Sequence, residues 1–162
     1  MTEPTRLFDC LEHQLTSNPS GIMFAAKEDG TWKEYTVQDV SDIVNRLSAG
    51  LLKLGIGGGD HSPEGRDKIA LISKNRPEWL MLDLAVQKIG AVLTPVYPTI
   101  SLNELEFVLS DAAVKIAFVS DNDLYEKVNG IKGNLPQLQD IYSFDEQTGT
   151  KHWMEILLLA ND

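Results

Sequence analysis

From Lys68 onward the chain alternates short, uninterrupted apolar runs with segments of helical periodicity, and this limits the folds open to it more than any other feature. Ile69-Ala-Leu-Ile72, Ala91-Val-Leu93 and Ile116-Ala-Phe-Val119 show no polar alternation, as expected of strands covered on both faces. Between them lie helical segments from Glu78 to Ile89 and from Leu102 to Leu109, the second opened by a Ser101–Glu104 capping box. Asp123 to Ile131 reads as a further helix, Leu138 to Phe144 as a strand and His152 to Leu159 as a final helix. Strand and helix in turn imply βαβ units with right-handed crossovers. The expected class is therefore α/β, a mostly parallel sheet with flanking helices.

The segment before Lys68 is of another kind. Leu7, Phe8, Leu11 and Leu15 recur at helical spacing up to Asn18-Pro19. Two strand-like runs, Ile22 to Lys27 and Trp32 to Tyr35, flank the turn pair Asp29-Gly30. Thr36 is placed to cap a long helix with Asp39 three residues on, and Gly55 to end it. The chain thus divides into a hairpin-and-helix region over 1–54, a Gly-, Pro- and charge-rich loop over 55–67, read as mobile surface, and a βαβ region over 68–162.

The helix from Glu78 to Ile89 has its polar residues Glu78, Asp83, Gln87 and Lys88 on several sides, with apolar groups between them. Such a helix is buried nearly all round. One sheet covers one side, so a second layer is expected on the other, from another subunit or from sequence beyond Asp162. On that reading the isolated chain exposes apolar surface and self-associates.

Composition removes several function classes. The formal charge of −10, from 24 acidic and 14 basic residues, is unsuited to gripping nucleic-acid phosphates. One cysteine, Cys10, allows no internal disulfide, and its place on an apolar helical stripe reads as packing. No run approaches the roughly 20 apolar residues that span a bilayer, and no signal peptide is evident, which reads as cytoplasmic.

No catalytic constellation emerges from the residues alone. The glycines Gly55 to Gly59 follow a helix instead of opening one, so they read as a loop rather than a phosphate cradle. His13, His61 and His152 lack metal-binding spacing, and Asp121 and Asp123 read as helix caps rather than a cation pair. Trp32, Trp79 and Trp153 read as core or interface aromatics. Tyr97 and Thr99, just past a buried strand, are the candidates to line a pocket, since ligands of open parallel sheets bind beyond the carboxyl ends of strands. The competing reading is a rigid turn set by Pro95 and Pro98.

Asn75-Arg-Pro-Glu-Trp79 and Gly90-Ala-Val-Leu-Thr-Pro-Val-Tyr-Pro-Thr99 resemble the adenylate-forming superfamily, and more narrowly the N-terminal part of long-chain fatty acid–CoA ligases. Trp32 to Val40 is similar to that superfamily's first core motif and Gln87 to Tyr97 to its second, while the Tyr-Pro-Thr ending points to the long-chain branch. On this resemblance Asn75, Pro77, Trp79, Gly90, Pro95 and Pro98 are structural motif residues. The resemblance implies an incomplete part of the large N-terminal domain, whose middle helical layer would hold the Glu78–Ile89 helix. It also implies a full enzyme that uses ATP, Mg²⁺ and coenzyme A on a fatty acid. The family's Ser/Thr/Gly-rich loop ending in Pro-Lys-Gly, its ribose-binding acid and its C-terminal lysine are not found here. The isolated chain is therefore expected to be inactive, to bind none of these cofactors tightly, and to have the rest of its own chain as partner, with peripheral membrane contact open to the whole enzyme. A fatty acyl-AMP ligase and a stand-alone flavodoxin-like interaction module are the alternative readings.

Overall fold

The structure, a computed structural model, describes residues 4–28 and 30–160. The first helix, α1 (Leu7–Ser17), is followed by the antiparallel hairpin β1 (Ile22–Glu28) and β2 (Thr31–Thr36). Of the expected turn pair, Asp29 lies outside the described residues, and Gly30 has a φ of 82°. Helix α2 (Val37–Lys53) starts as the sequence predicts, with the Thr36 hydroxyl accepting from the Asp39 amide and the Asp39 carboxylate accepting from the Thr36 amide.

The remaining elements are β3 (Lys68–Ile72), α3 (Pro77–Lys88), β4 (Val92–Val96), α4 (Leu102–Asp111), β5 (Ile116–Val119), α5 (Asn122–Ile131), β6 (Asp140–Ser143), β7 (Lys151–His152) and α6 (Met154–Leu159). The five strands form one parallel sheet in the order β4-β3-β5-β6-β7. Strand β7 was not foreseen: Lys151 and His152 pair with β6, so the last helix begins at Met154 instead of His152. Two residues carry too little pattern for periodicity to register.

Each strand sends alternate residues to opposite faces. Ile69, Leu71, Ile116, Phe118, Tyr142 and Phe144 pack on one side with α2, α3 and α6. Ala70, Ile72, Ala117, Val119 and Ile141 pack on the other with α4 and α5. Both faces of β3 and β5 are covered, which is why they read as continuous apolar runs, whereas the edge strand β4, expected to be buried in the same way, is only half-buried and leaves Pro95 exposed.

Helix α3 is enclosed from two sides as expected, but by this chain itself. It contacts β4 below and α2, α1 and β1 around it, with Met81, Leu82, Ala85 and Val86 fully buried. The expectation of a second layer from another subunit or from later sequence is thereby corrected: the amphipathic faces of α1 and α2, far earlier in the chain, supply it. The premise for self-association through α3 goes with it. Close approach of α2 to its neighbours is allowed by small residues. The Ser48 hydroxyl donates to the Ala85 carbonyl at 3.3 Å, and a Cβ on Gly50 would run into the backbone carbonyl of Ile156 in α6. Gly50→Ala is therefore expected to destabilise by about 1–3 kcal/mol, read as a lower denaturant midpoint. The better helix propensity of alanine, worth about 1 kcal/mol, acts in the opposite sense and does not offset a clash with backbone.

The 55–67 segment forms no helix or strand, yet it is fastened at both ends. Ile56 is buried, the Gly57 amide donates to the Asp67 carboxylate at 2.9 Å, and the Asp67 amide returns to the Gly57 carbonyl at 3.1 Å. Gly90, at a φ of 78°, brings the α3–β4 turn close against Gly58. Cys10 is exposed, not packed, and Trp32 is 66% exposed, whereas Trp153 is buried as expected. The misplacement of Cys10 has a local cause: α1 lies at the margin of the core, with Leu11 its one buried residue, while the exposure of Trp32 removes the core alternative for it.

Candidate functional site

Every strand of the sheet runs in the same direction, so the connections β3–α3, β4–α4, β5–α5 and β6–β7 all begin at one edge. At that edge the sheet's polar chemistry gathers. Pro77 occupies the first turn of α3, its fixed φ suited to a helix start, and Arg76 precedes it as N-cap. The Arg76 guanidinium donates to Glu78 Oε2 at 2.8 Å and Oε1 at 3.2 Å, to Asp145 Oδ1 at 2.8 Å, and to the Ser120 carbonyl at 3.4 Å. It lies over the Phe144 ring at 5.1 Å.

Glu78 is 4% exposed, and burial pushes its carboxyl upward, but the Arg76 hydrogen bonds, its own backbone amide and the charges of Arg76 and Lys33 outweigh this and hold it below the usual carboxylate range. Such a group adds stability above the ordinary carboxylate value and loses it as pH falls through the depressed native one. Around this cluster a cleft of about 600 Å³ separates the β1 edge, Phe24 to Glu28, and Trp32 from Asn75–Leu80 and Asp145.

A second set lies one strand over. Asp121 caps α5, accepting from the Leu124 amide at 3.2 Å, as the sequence reading has it, and it also accepts from the Ser120 hydroxyl at 3.0 Å and pairs with Lys74 at 3.2 Å. Burial raises its carboxyl, and these partners together bring it below the ordinary value. Tyr97 and Thr99 sit past the end of β4, at a distance from the Arg76 cluster's cleft. Tyr97 is 84% exposed and stands between a recess of about 430 Å³ reaching Ser73–Asn75 and an apolar one of about 320 Å³ lined by Val96, Ile100 and Val108. Thr99 borders only the second. Pro95 lies in β4 and Pro98 just after it, which an edge strand tolerates.

Four of the motif residues divide between two places, while Trp79 packs against the core and Gly90 turns α3 into β4 at the other end of the sheet. Asn75, Pro77 and the turn before Trp79 shape the cleft, while Pro95 and Pro98 shape the recesses. Sequence reading missed Arg76, Glu78 and Asp145 as a cluster. The Arg-Pro-Glu triplet at a helix start was the available signal, but Asp145 is 69 residues away from Arg76 and only the β5–β6 pairing brings it there. Among the described residues no group of three or more His, Cys, Asp or Glu could hold a metal ion, and no helix is long and apolar enough to cross a membrane.

A sequence profile of the family described as AMP-binding enzyme matches residues 11–156. Long-chain-fatty-acid–CoA ligase FadD15 of Mycobacterium bovis is 27% identical over 130 residues, which cover 80% of this chain and 20% of that protein. Long chain acyl-CoA synthetase 3 of Arabidopsis thaliana is 26% identical over 149 residues, 89% of this chain and 21% of that protein. A Rhodopseudomonas palustris structure, provisionally described as a long-chain-fatty-acid CoA ligase, superposes with a TM-score of 0.79 at 26% identity, covering 95% of this chain and 36% of that one. The chain spans about a fifth of the length of the curated relatives it matches.

Proposed function

The chain belongs to the AMP-binding enzyme family, and from that premise we propose that it is the N-terminal scaffold of a long-chain fatty acid–CoA ligase. The single observation behind the proposal is the family match over residues 11–156, which runs through the hairpin, α3 and the whole parallel sheet. The whole enzyme would join a fatty acid carboxylate to ATP with release of pyrophosphate and then transfer the acyl group from AMP to the thiol of coenzyme A. Cytoplasmic location with peripheral membrane contact belongs to the same proposal.

Mg²⁺ and the phosphates of ATP find no matching donor set among the described residues. The described residues offer no metal-ligand cluster, and the 55–59 glycines follow α2 and turn into a loop closed on Asp67 instead of opening a helix toward an anion. No step of the chemistry is assigned to this chain. Its proposed part is to hold the sheet edge, and the recesses beside Tyr97 and Thr99 support the reading of these two as pocket-lining residues.

Two measurements test this. The 162-residue chain should give no fatty-acid-dependent ATP–pyrophosphate exchange above background, and exchange would overturn the scaffold reading. Where the coding sequence runs past Asp162, it should encode a Ser/Thr/Gly-rich loop ending in Pro-Lys-Gly, and its absence would end the assignment. A fatty acyl-AMP ligase shares this segment, and formation of an acyl-carrier thioester in place of acyl-CoA by the whole enzyme would favour it.

A further inference from the structure

The Asn-Arg-Pro-Glu-Trp motif carries part of the family resemblance but takes no part in the chemistry proposed above, and its charges are arranged unequally. Glu78 is enclosed, with 5% of its side chain exposed, and starts the helix that fills the core between α2 and the sheet. Asp145 has 52% of its side chain exposed and begins the irregular connection from β6 to β7. Arg76 holds both, and its remaining contacts, the Ser120 carbonyl at 3.4 Å and the Phe144 ring, are weaker. Among the described residues, the β6–β7 connection also holds a buried polar atom left unpaired. The Gln147 side-chain carbonyl is buried without a partner, and its amide reaches the Ser143 hydroxyl only at 3.4 Å. A buried polar atom left this way favours any rearrangement that lets it meet water.

We propose that Arg76 is a clamp with one permanent and one releasable jaw: Glu78 stays bound, while Asp145 lets go and frees residues 145–150 from the sheet edge. Release widens the cleft facing β1, brings the Gln147 carbonyl to water and leaves an Arg76 guanidinium donor free inside the cleft. The main chain marks the hinge. The amides of Phe144 and Asp145 extend the ladder to the Val119 and Ser120 carbonyls at 2.9 and 3.2 Å, and His152 holds the Phe144 carbonyl at 2.9 Å. Beyond Asp145 such cross-links to the sheet end until β7.

Amide hydrogen exchange on the 162-residue chain tests the clamp. Asp145→Asn should raise exchange, relative to the intrinsic rate of each amide, about threefold at residues 145 and 150, whose amides donate hydrogen bonds, with α3 and β5 unchanged. Salt of about 1 M should raise wild-type exchange at the same residues and leave the Asp145→Asn protein as it is, because screening acts only on the intact pair. Glu78→Gln should instead raise exchange across α3 and the sheet. Unchanged exchange at the 145 and 150 amides in Asp145→Asn, a rise spread evenly over the molecule, or no salt response in the wild type would each overturn the proposal.

Discussion

Phe118→Ala is expected to destabilise the domain by about 3–5 kcal/mol, enough to leave little of a domain's usual margin. Phe118 is fully buried at the centre of β5, the middle strand of the sheet, and stacks on Tyr142 at 5.6 Å and Phe144 at 5.8 Å between ring centres. Phe144 in turn meets Trp153 edge-on at 5.7 Å, so the ring series reaches from the centre of the sheet to the start of α6. Removing Phe118 takes away both transfer free energy and two aromatic contacts, and the neighbours on rigid strands cannot collapse into the space. Denaturant unfolding should show a large fall in midpoint, while Phe118→Leu, which conserves most of the volume, should lose far less. Equal losses for the two would mean that cavity formation is not the cause.

Arg76→Ala should cost about 3 kcal/mol at neutral pH. Breaking a buried pair from one side strands a desolvated charge, and this figure is at the low end of that range because Arg76 keeps 21% of its side chain exposed and Lys33 still faces Glu78. The pH dependence reverses in the variant. In the native protein Glu78 lies below the ordinary carboxylate range, so its contribution is complete at neutral pH and disappears as pH falls through the depressed value. Without Arg76, burial prevails and raises the carboxyl. The penalty is then greatest at neutral pH and shrinks as acid protonates Glu78. The stability gap between wild type and variant should narrow between neutral pH and about pH 4.5, near the ordinary carboxylate value. A gap that stays constant would show that lost packing of the Arg76 side chain, not the stranded charge, explains the cost. Arg76→Lys should recover part of the stability, since it restores the charge without the fork that engages both Glu78 oxygens.

Much of the fold was legible because its signals are local. Thr36 with Asp39 and Ser101 with Glu104 announce helix starts three residues apart, and both boxes form. The apolar runs at Ile69 and Ile116 become doubly covered strands and the one at Ala91 a half-buried edge strand, and the structure pairs them in parallel around β3. Where the reading failed, the missing information was distant in the chain. The apolar character of α3 correctly implied two-sided burial, but nothing within Pro77–Lys88 says that α1 and α2 provide the cover. Cys10 fits an apolar pattern whose partners stop short of it. The pattern tells what a face would bury, not how far its neighbour extends.

The candidate site divides in the same way. The motif residues around Pro77 and Pro95 were identified as structural, and they shape the cleft and the recesses at the sheet edge. The Arg76–Glu78–Asp145 cluster was not identified, because charge partners are chosen by distance in space and one lies across three strands. By itself, then, the sequence determined the parallel α/β class and the order of the elements apart from β7, since capping, periodicity and apolar runs are set by residues within a few turns of one another, and its motifs carried the resemblance to the family. Tertiary structure alone decided that α3 is enclosed by its own chain and that Arg76 joins three connections at one edge. Both depend on contacts between segments whose separation along the chain erases any local trace of them, so only the packed sheet could bring them together.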